Sequence, residues 1–271
     1  MALWTRSRDR GSTEPRDRPA GPPSEAPPGS RRVERGFFED YPRFYETSAT
    51  SAYPWRLNLR HQAMFAEYAD LYAGARVLDL ASHDGRWSLA ALQAGAASVI
   101  GIEARPDLVA NARANLAAYG LAERAEFVAG DVFEVLATDR PEVDLVLCLG
   151  FLYHTLRHTE LFTRIRQTAA RHVVLDTELH RSPEAIVRLA DEDVEREGNA
   201  VADAFTYGDT VLTGRPTLAA LELVARTQGF VVERLSDWDA LLRDNPDADQ
   251  VRDYRIGRRA TLLLASASFS R

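Results

Sequence analysis

The feature of this 271-residue sequence that most constrains its fold is a regular alternation of short apolar strands and amphipathic helices. The pattern predicts strands at 75–80, 98–103, 126–130, 143–149 and 173–178, with helices at 86–94, 106–119 and 159–171. Such alternation indicates a mainly parallel sheet with helices on both faces. The run 143–149 is almost wholly apolar, as a strand covered on both faces should be.

Three further segments complete the predicted domain, residues 36–271. Residues 36–74 form an N-terminal cap that begins with many aromatic residues and continues into a predicted helix at 57–72. Residues 179–216 are polar, acidic and weakly periodic, and we interpret them as a lid insertion. A helix starting after Thr217 and two strands, at 230–235 and 260–266, complete the chain. The prediction is therefore an α/β, doubly wound, seven-stranded sheet, with an acidic loop between the last two strands.

Composition and charge restrict the function and the location. The net charge is −7, and residues 1–35, rich in Pro, Gly and Ser, carry eight Arg against five acidic residues, which leaves −10 for the remaining body. An acidic body does not favour nucleic acid as a partner. Residues 1–35 bury too little apolar surface to offset their ordering entropy, so we predict a disordered arm. A homo-oligomer is compatible with this composition.

The single cysteine and the hydropathy pattern predict a cytoplasmic protein that does not enter a membrane. Cys148 lies within an apolar run and has no partner for a disulfide, which indicates a buried thiol in a reducing compartment. No apolar stretch approaches the roughly 18 residues that a membrane span needs. The N-terminus has no apolar signal-peptide core.

Candidate ligand-binding residues lie just after the carboxyl ends of the predicted strands, where open α/β sheets bind their ligands. The first strand ends at Asp79, the second at Glu103, and the third is followed by Asp131. Glu103 lies 24 residues after Asp79, a spacing that suits a carboxylate accepting hydrogen bonds from ribose hydroxyls. The fourth strand opens into a loop, residues 150–154, that contains Phe151, Tyr153 and His154.

Together, the run Val77-Leu78-Asp79 to Gly85, the run Gly101-Ile102-Glu103 and the pair Gly130-Asp131 resemble the ordered signature of class I S-adenosylmethionine-dependent methyltransferases. The resemblance implies that the last two strands form an antiparallel hairpin and that S-adenosyl-L-methionine is the cofactor. It also implies that the loop after the first strand holds the amino-acid end of the cofactor, Glu103 the ribose and Asp131 the adenine. The cofactor-binding residues implied in this way are Asp79, Ala81, His83, Gly85, Glu103, Asp131, Val132 and Phe151.

The first loop departs from the family pattern, which is usually Gly-x-Gly-x-Gly. Only Gly85 remains, with Ala81 and His83 in the other two glycine places, and His83 needs a backbone geometry that tolerates a Cβ. The same change argues against a dinucleotide, because a pyrophosphate needs glycine and a free helix N-terminus. Asp84 at that helix start would repel a phosphate. A nicotinamide or flavin enzyme and a non-catalytic relative of the methyltransferases stay as alternatives.

His154 and Glu178 are the predicted catalytic residues. His154 follows the fourth strand, on the side of the transferable methyl group, and is the candidate base that accepts the acceptor's proton; a structural histidine in a tight turn is the alternative. His158, one turn later, is predicted to be packed or solvated. Asp176, Glu178 and His180 alternate along the fifth strand and share a face. The carboxylates of Asp176 and Glu178 predict a Mg²⁺ site, with exposed loop side chains as the alternative.

The cap and the lid are expected to cover the site and exclude water. Tyr45, Arg60 and Tyr153 are the candidate substrate-binding residues. Arg43, Arg56 and Arg60 are candidates for an anionic group, or for ordinary surface pairing. The acidic lid around residues 191–197 would repel the phosphates of a nucleic acid.

Two narrower resemblances concern the substrate. The segment 150–154, the Thr-Glu end of the fifth strand and the Gly229-Phe230 pair are similar to tRNA wobble-uridine carboxymethyltransferases. The segments 41–46, 56–61 and 81–87 more closely resemble bacterial sugar O-methyltransferases of polymethylated polysaccharides, several of which depend on Mg²⁺. The sequence therefore predicts O-methylation of a hydroxyl on a carbohydrate or other small-molecule acceptor. A tRNA-modifying enzyme and a non-catalytic cofactor-binding protein are the alternatives.

Overall fold

The computed structural model of the chain describes residues 32–33, 35–47 and 54–267. Apart from Arg32, Val33 and Arg35, the arm predicted to be disordered, residues 1–35, lies outside the described residues. All of the described residues belong to one unit, which spans residues 31–271.

A seven-stranded sheet forms the centre of this unit. Its strands are β1 (Arg76–Leu80), β2 (Ser98–Glu103), β3 (Ala125–Ala129), β4 (Leu145–Leu149), β5 (His172–Glu178), β8 (Phe230–Leu235) and β9 (Arg259–Ser266). Their order across the sheet is β3-β2-β1-β4-β5-β9-β8. The first five strands run parallel, whereas β9 pairs antiparallel with both β5 and β8. The predicted fold class, with its antiparallel C-terminal pair, is confirmed.

Helices cover both faces of the sheet. They are α3 (Arg86–Gln93), α4 (Pro106–Ala118), α5 (Val132–Thr138), α6 (His158–Gln167) and α7 (Leu218–Thr227). Alternate residues of one strand enter different cores: Val77 packs in the core with α3 and α4, and Leu78 packs in the core with α5, α6 and α7. Cys148 is fully buried on the Leu78 side, as predicted, and burial raises the pKa of its thiol to about 12. Among the described residues, no helix is long and apolar enough to cross a bilayer.

The cap contains α1 (Phe44–Thr47) and α2 (Pro54–Met64), followed by a 3₁₀ segment at Ala66–Leu71. The predicted continuous helix at 57–72 is therefore wrong beyond Met64. Tyr68 leaves helical backbone angles, with φ −123° and ψ 23°. Tyr72 is buried, stacks on Phe65 with ring centroids 5.0 Å apart, and donates its hydroxyl to the carbonyl oxygen of Met64 at 2.8 Å. This side-chain bond satisfies a terminal carbonyl and favours the end of the helix there.

The lid, residues 179–216, contains two strands that were not predicted, β6 (Val187–Asp193) and β7 (Thr210–Pro216), paired antiparallel. Their hydropathy pattern is inverted with respect to burial. Leu189 and Leu212 are exposed on this small sheet, while Glu192 is buried. An apolar–polar alternation therefore could not identify the inner face.

The acidic loop predicted between the last two strands contains two helices, α8 (Trp238–Asp244) and α9 (Arg252–Arg255). Asp237 caps α8 by accepting a hydrogen bond from Ala240 N at 2.9 Å. Trp238 stacks on Tyr254 with ring centroids 3.5 Å apart, and both pack against Leu59 and Ala63 of α2 in a third core. This core fixes the cap to the C-terminal part of the chain.

Candidate active site

A cavity of about 370 Å³ lies over the carboxyl ends of the parallel strands. Its wall comes from the loops after β1, β2 and β4, the start of α5, and the cap residues Arg56 and Arg60. Lid residues 198–201, Glu178 of β5 and Arg259 of β9 complete the wall. The volume lies in the range of small-molecule sites. The structure thus brings the predicted cap and lid together over the predicted edge of the sheet.

The loop after β1 keeps left-handed backbone angles without its usual glycines. The φ angles of Ala81, His83 and Gly85 are +53°, +54° and +80°. A Cβ on Gly85 would lie 2.9 Å from Leu116 Cδ2, so that position requires glycine. Each of the other two residues accepts a left-handed conformation that costs roughly 1–2 kcal/mol. The two substitutions therefore preserve the loop's shape at some cost in stability.

Glu103 lies on the cavity wall with its carboxylate held by the backbone. Its Oε2 accepts from His83 N at 2.9 Å and its Oε1 from Arg105 N at 2.9 Å. An ionised carboxylate has about four lone-pair sites, so these two bonds orient it and leave acceptor capacity for ligand hydroxyls. The bond to His83 also connects the β1 and β2 loops.

Asp131 lies on the wall as the N-cap of α5, which the sequence analysis did not predict as a helix. Its Oδ1 accepts from Phe133 N at 2.8 Å and Glu134 N at 3.1 Å. Val132 and Phe151 line the same end of the cavity, and the rings of Phe133 and Phe151 lie 6.1 Å apart. A fixed carboxylate beside apolar surface suits an adenine ring with its amino group.

Asp79 and Gly85 lie behind the cavity wall rather than on it. Asp79 is buried, and Ser88 Oγ donates to its Oδ2 at 2.7 Å. Its Oδ1 has no hydrogen-bond partner within the described part of the chain. Burial raises the pKa of Asp79 to about 7, against the opposing effect of the Ser88 hydrogen bond. Asp79 therefore lies beneath the loop, and its predicted contact with the cofactor stays a prediction.

Asp84 and Arg86 form a buried ion pair at the start of α3. Arg86 Nε lies 3.0 Å from Asp84 Oδ1, and Thr47 Oγ1 donates to Asp84 Oδ2 at 2.9 Å. Burial by itself would raise the pKa of Asp84, but the neighbouring Arg86 and His83 bring it below its ordinary value. A carboxylate at this helix start does not suit a pyrophosphate, while Arg86 lines the cavity.

His154 lies on the cavity wall in a 3₁₀ turn, Leu152–His154, directly after β4. Its Nδ1 is 2.7 Å from Glu192 Oε2, on the lid strand β6. Ala200 N donates to the same carboxylate oxygen at 2.9 Å. Burial alone would raise the pKa of Glu192, but the hydrogen bond and charge of His154 bring it below its ordinary value. The sequence analysis missed Glu192, because nothing distinguished it among the lid's many acidic residues.

His158 is a structural histidine, as expected. It is buried, and its Nε2 lies 3.1 Å from the carbonyl oxygen of Leu152. This contact supports the turn that carries His154.

The predicted Mg²⁺ site is not supported. Asp176 is fully buried and off the cavity wall, and its carboxylate accepts four hydrogen bonds. The donors are Arg60 Nη2 at 3.0 Å, Arg259 Nη1 at 3.0 Å, Tyr254 Oη at 2.7 Å and Thr261 Oγ1 at 2.7 Å. Within the described ranges, no group of three or more His, Cys, Asp or Glu could hold a metal ion. The two guanidinium groups thus occupy Oδ1 and the two hydroxyls occupy Oδ2, the oxygens that a cation would need.

Glu178 lines the cavity but is also paired, because Arg215 Nε donates to its Oε2 at 2.7 Å. Tyr153 and Arg60 line the cavity as predicted, and Tyr153 Oη accepts from Arg259 Nη2 at 2.9 Å. Arg259, 106 residues away from Tyr153, gave no sequence signal of its own.

Tyr45 does not reach the cavity. Its hydroxyl donates to Glu39 Oε1 at 2.9 Å and accepts from Asn58 Nδ2 at 2.9 Å, so it holds the cap together. Arg43 bonds Asn115 Oδ1 of α4 at 3.1 Å and is likewise off the wall. The prediction of Tyr45 as a substrate contact is not supported by this placement.

Comparisons with known proteins agree with this geometry. Residues 77–173 match a family model described as a methyltransferase domain. The N-terminal domain of EvdMO1, solved with SAH bound, superposes with a TM-score of 0.52 at 18% identity, covering 74% of this chain and 78% of that one. An S-adenosylmethionine-dependent methyltransferase from Mesorhizobium loti gives a TM-score of 0.53 at 17% identity, covering 82% and 99%. The fold is that of a class I methyltransferase.

The methyltransferase match in curated sequences is local. The chain is 40% identical over 82 residues to the 23S rRNA (uracil(1939)-C(5))-methyltransferase RlmD of Shewanella amazonensis. That alignment covers 29% of this chain, and the chain spans only 18% of that enzyme's length. The comparisons therefore show a match to a methyltransferase domain over residues 77–173 and a shared fold with the solved neighbours.

Proposed function

We propose that this protein is an S-adenosylmethionine-dependent O-methyltransferase that acts on a hydroxyl of a sugar or another small metabolite. The observation that carries the proposal is that His154, on the cavity wall, pairs with Glu192 of the lid, with Nδ1 and Oε2 2.7 Å apart. A histidine whose Nδ1–H is held by a carboxylate presents Nε2 as a proton acceptor. Methylation of an alcohol needs such an acceptor.

The cofactor-binding residues fit the cofactor's parts. The oriented carboxylate of Glu103 retains acceptor capacity for the ribose hydroxyls, and Asp131 with Val132 and Phe151 suits the adenine. Asp79 Oδ1, buried and without a hydrogen-bond partner among the described residues, lies beneath the loop proposed for the cationic amino-acid end, and a cation there would favour its ionised form. When bound, S-adenosylmethionine supplies the methyl group as a sulfonium.

The chain's own residues then account for proton movement and orientation. A bound cofactor would supply its methyl group to the acceptor oxygen, which would give up its hydroxyl proton. The hydroxyl proton passes to His154 Nε2, and Glu192 stabilises the resulting imidazolium. Holding the two reacting atoms in line contributes up to ~7–11 kcal/mol to such a reaction, and the cap and the lid exclude water.

The cellular compartment and the class of acceptor are part of the same proposal. A single buried thiol is typical of a reducing compartment, which favours the cytoplasm. The acidic net charge of −7 favours a small-molecule or carbohydrate acceptor over a nucleic acid. The local likeness to an rRNA methyltransferase makes RNA the second candidate to include in the test.

The test combines a binding measurement with an acceptor screen. Calorimetry with S-adenosylhomocysteine is expected to detect binding at micromolar concentration. A screen with methyl-labelled cofactor against hydroxylated sugars and other small alcohols, with total tRNA and rRNA as separate arms, is expected to label a small-molecule pool. We expect EDTA to leave turnover unchanged, because guanidinium groups hold Asp176. Absence of binding would indicate a non-catalytic protein, and label in RNA alone would refute the small-molecule proposal.

A further inference from the structure

We infer that the acceptor carries a small oxyanion, a carboxylate or a phosphate ester, and that Arg60 binds it. The inference rests on the proposed function and names the class of its substrate. It concerns the end of the cavity formed by the cap, the loop after β4 and strand β9.

Arg60 is buried but largely without hydrogen-bond partners. It lies on α2, is 7% exposed, and lines the cavity. Its Nη2 donates to Asp176 Oδ1 at 3.0 Å, while its Nε has no partner among the described residues. A guanidinium has five N–H donors, and a buried donor that stays unpaired costs about 1–3 kcal/mol or more when charged. A ligand oxyanion in the cavity would satisfy these donors.

The charged side chains around Arg60 also favour an anionic ligand. Arg56, Arg60 and Arg259 line this end of the cavity, whereas their partners Asp176 and Asp253 do not. Asp176 pairs with Arg60 and Arg259, each at 3.0 Å, and Asp253 pairs with Arg56 at 2.6 Å. The guanidinium groups therefore line the cavity, while the carboxylates of Asp176 and Asp253 lie off its wall. This placement of cations gives this end of the wall a positive surface that suits an anion.

Glu178, on the same part of the wall, is held by Arg215, whose Nε donates to it at 2.7 Å. The same Arg215 also lies 3.6 Å from Glu192. Glu178 lies farther from Arg259, at 3.9 Å.

Arg60 lies between the start of α3, where its guanidinium carbon is 5.1 Å from the Trp87 ring centroid, and the loop after β4. Its contact with the loop after β4 favours the acceptor over the cofactor. Its Nη2 lies 3.7 Å from where a Cβ on Gly150 would be, in the loop that continues to Tyr153 and His154. The cofactor's own carboxylate is expected at the loop after β1, where Arg86 follows directly. The anionic group of the acceptor would then lie near Gly150, and the hydroxyl to be methylated would lie near His154, in the same loop after β4.

The experiment uses small anions on the full chain saturated with S-adenosylhomocysteine. Sodium phosphate and sodium acetate are titrated against sodium chloride at equal ionic strength, and the thermal midpoint and heat of binding are recorded. We expect one of the two oxyanions to raise the midpoint beyond chloride, and the better of them identifies the class. Arg60→Gln is expected to weaken that binding at least tenfold. Arg76→Gln, an exposed arginine off the cavity, is the matched control and should leave it unchanged.

Arg56→Gln provides a second variant, because Arg60→Gln removes a partner from buried Asp176. It should weaken oxyanion binding while leaving the Arg60–Asp176 pair in place. Three results would overturn the inference: equal behaviour of oxyanions and chloride, an oxyanion effect seen only without S-adenosylhomocysteine, or loss of S-adenosylhomocysteine binding in Arg60→Gln. Failure of the wild-type chain to bind S-adenosylhomocysteine would instead contradict the proposed function.

Discussion

The two halves of the cavity are held in place in different ways. In the half that we propose for the cofactor, here called the cofactor half, backbone amides orient the carboxylates: His83 N and Arg105 N hold Glu103, and Phe133 N holds Asp131. In the half that we propose for the acceptor, here called the acceptor half, side chains hold one another across long stretches of chain, as in the Arg60–Asp176 and Arg259–Asp176 pairs, 116 and 83 residues apart. The cofactor half therefore depends on local geometry, and the acceptor half on the complete tertiary structure.

The largest expected effect tests whether the acceptor half determines kcat without affecting the affinity for the cofactor. His154→Ala should lower kcat about 10²–10⁴-fold, because the hydroxyl proton loses its acceptor. Binding of S-adenosylhomocysteine should stay within about threefold of wild type by calorimetry. Glu192→Gln keeps the size of the side chain but loses its charge, and should give a smaller loss of kcat than His154→Ala.

His172→Gln is the control for these variants. His172 begins β5, at the amino end of the strand and away from the cavity, so this variant should retain full turnover. Full turnover of His154→Ala on a true acceptor would remove the proposed base. A large loss of cofactor affinity in that variant would mean that the two halves are not separable.

The second prediction compares two aspartates that each pair with two arginines. Asp176→Ala should lower the free energy of unfolding by about 3–5 kcal/mol, because two buried guanidinium groups lose their partner. Asp144→Ala removes pairs with Arg76 and Arg171 at the exposed amino ends of the strands, and should cost less than about 1 kcal/mol. Urea unfolding measures both. Equal losses would contradict the view that buried ion pairs hold the acceptor half.

The third prediction concerns pH and the cofactor half. The pKa of Asp79 is raised by burial to about 7 in the folded protein, so protonated Asp79 favours folding and this contribution is complete below the unfolded pKa, near 4. It is lost as the pH rises to about 7. Relative to Asp79→Asn, the wild-type chain should therefore lose roughly 3 kcal/mol of stability between pH 4 and pH 7. Urea unfolding across that range measures the difference, and parallel curves for the two proteins would refute it.

The smallest effect tests the left-handed loop. Gly85→Ala should cost about 1–3 kcal/mol, because the new Cβ adopts a positive φ and meets Leu116 at 2.9 Å. Gly120→Ala is the matched control, since its φ is +72° but nothing lies within 4 Å of the added carbon. It should cost about 1 kcal/mol. The difference in unfolding free energy between the two variants measures the cost of the close packing at Gly85. Equal costs would show that backbone strain alone accounts for the loss of stability.

The fold prediction succeeded where one strand and its following loop contain the information. The apolar runs predicted β1 to β5, and Glu103 and Asp131 at their ends lie on the cavity wall, because strand burial and loop position are local properties. Their contacts with a cofactor stay predictions. The lid strands could not be recognised in this way, since Leu189 is exposed and Glu192 is buried. The magnesium prediction failed for a related reason: two carboxylates on one strand face look like metal ligands until Arg60 and Arg259 are brought onto Asp176.

The sequence by itself determined the alternating α/β sheet, the strand ends where the cavity lies and the position of His154 after β4, because periodicity and strand ends are properties of consecutive residues. Only the tertiary structure decided that Glu192 meets His154, that Asp79 lies beneath the loop, and that Arg56, Arg60 and Arg259 line one end of the cavity. Those contacts join residues far apart in the chain. Their energies come from burial and charge pairing, which exist only after the sheet, the cap and the lid have packed together.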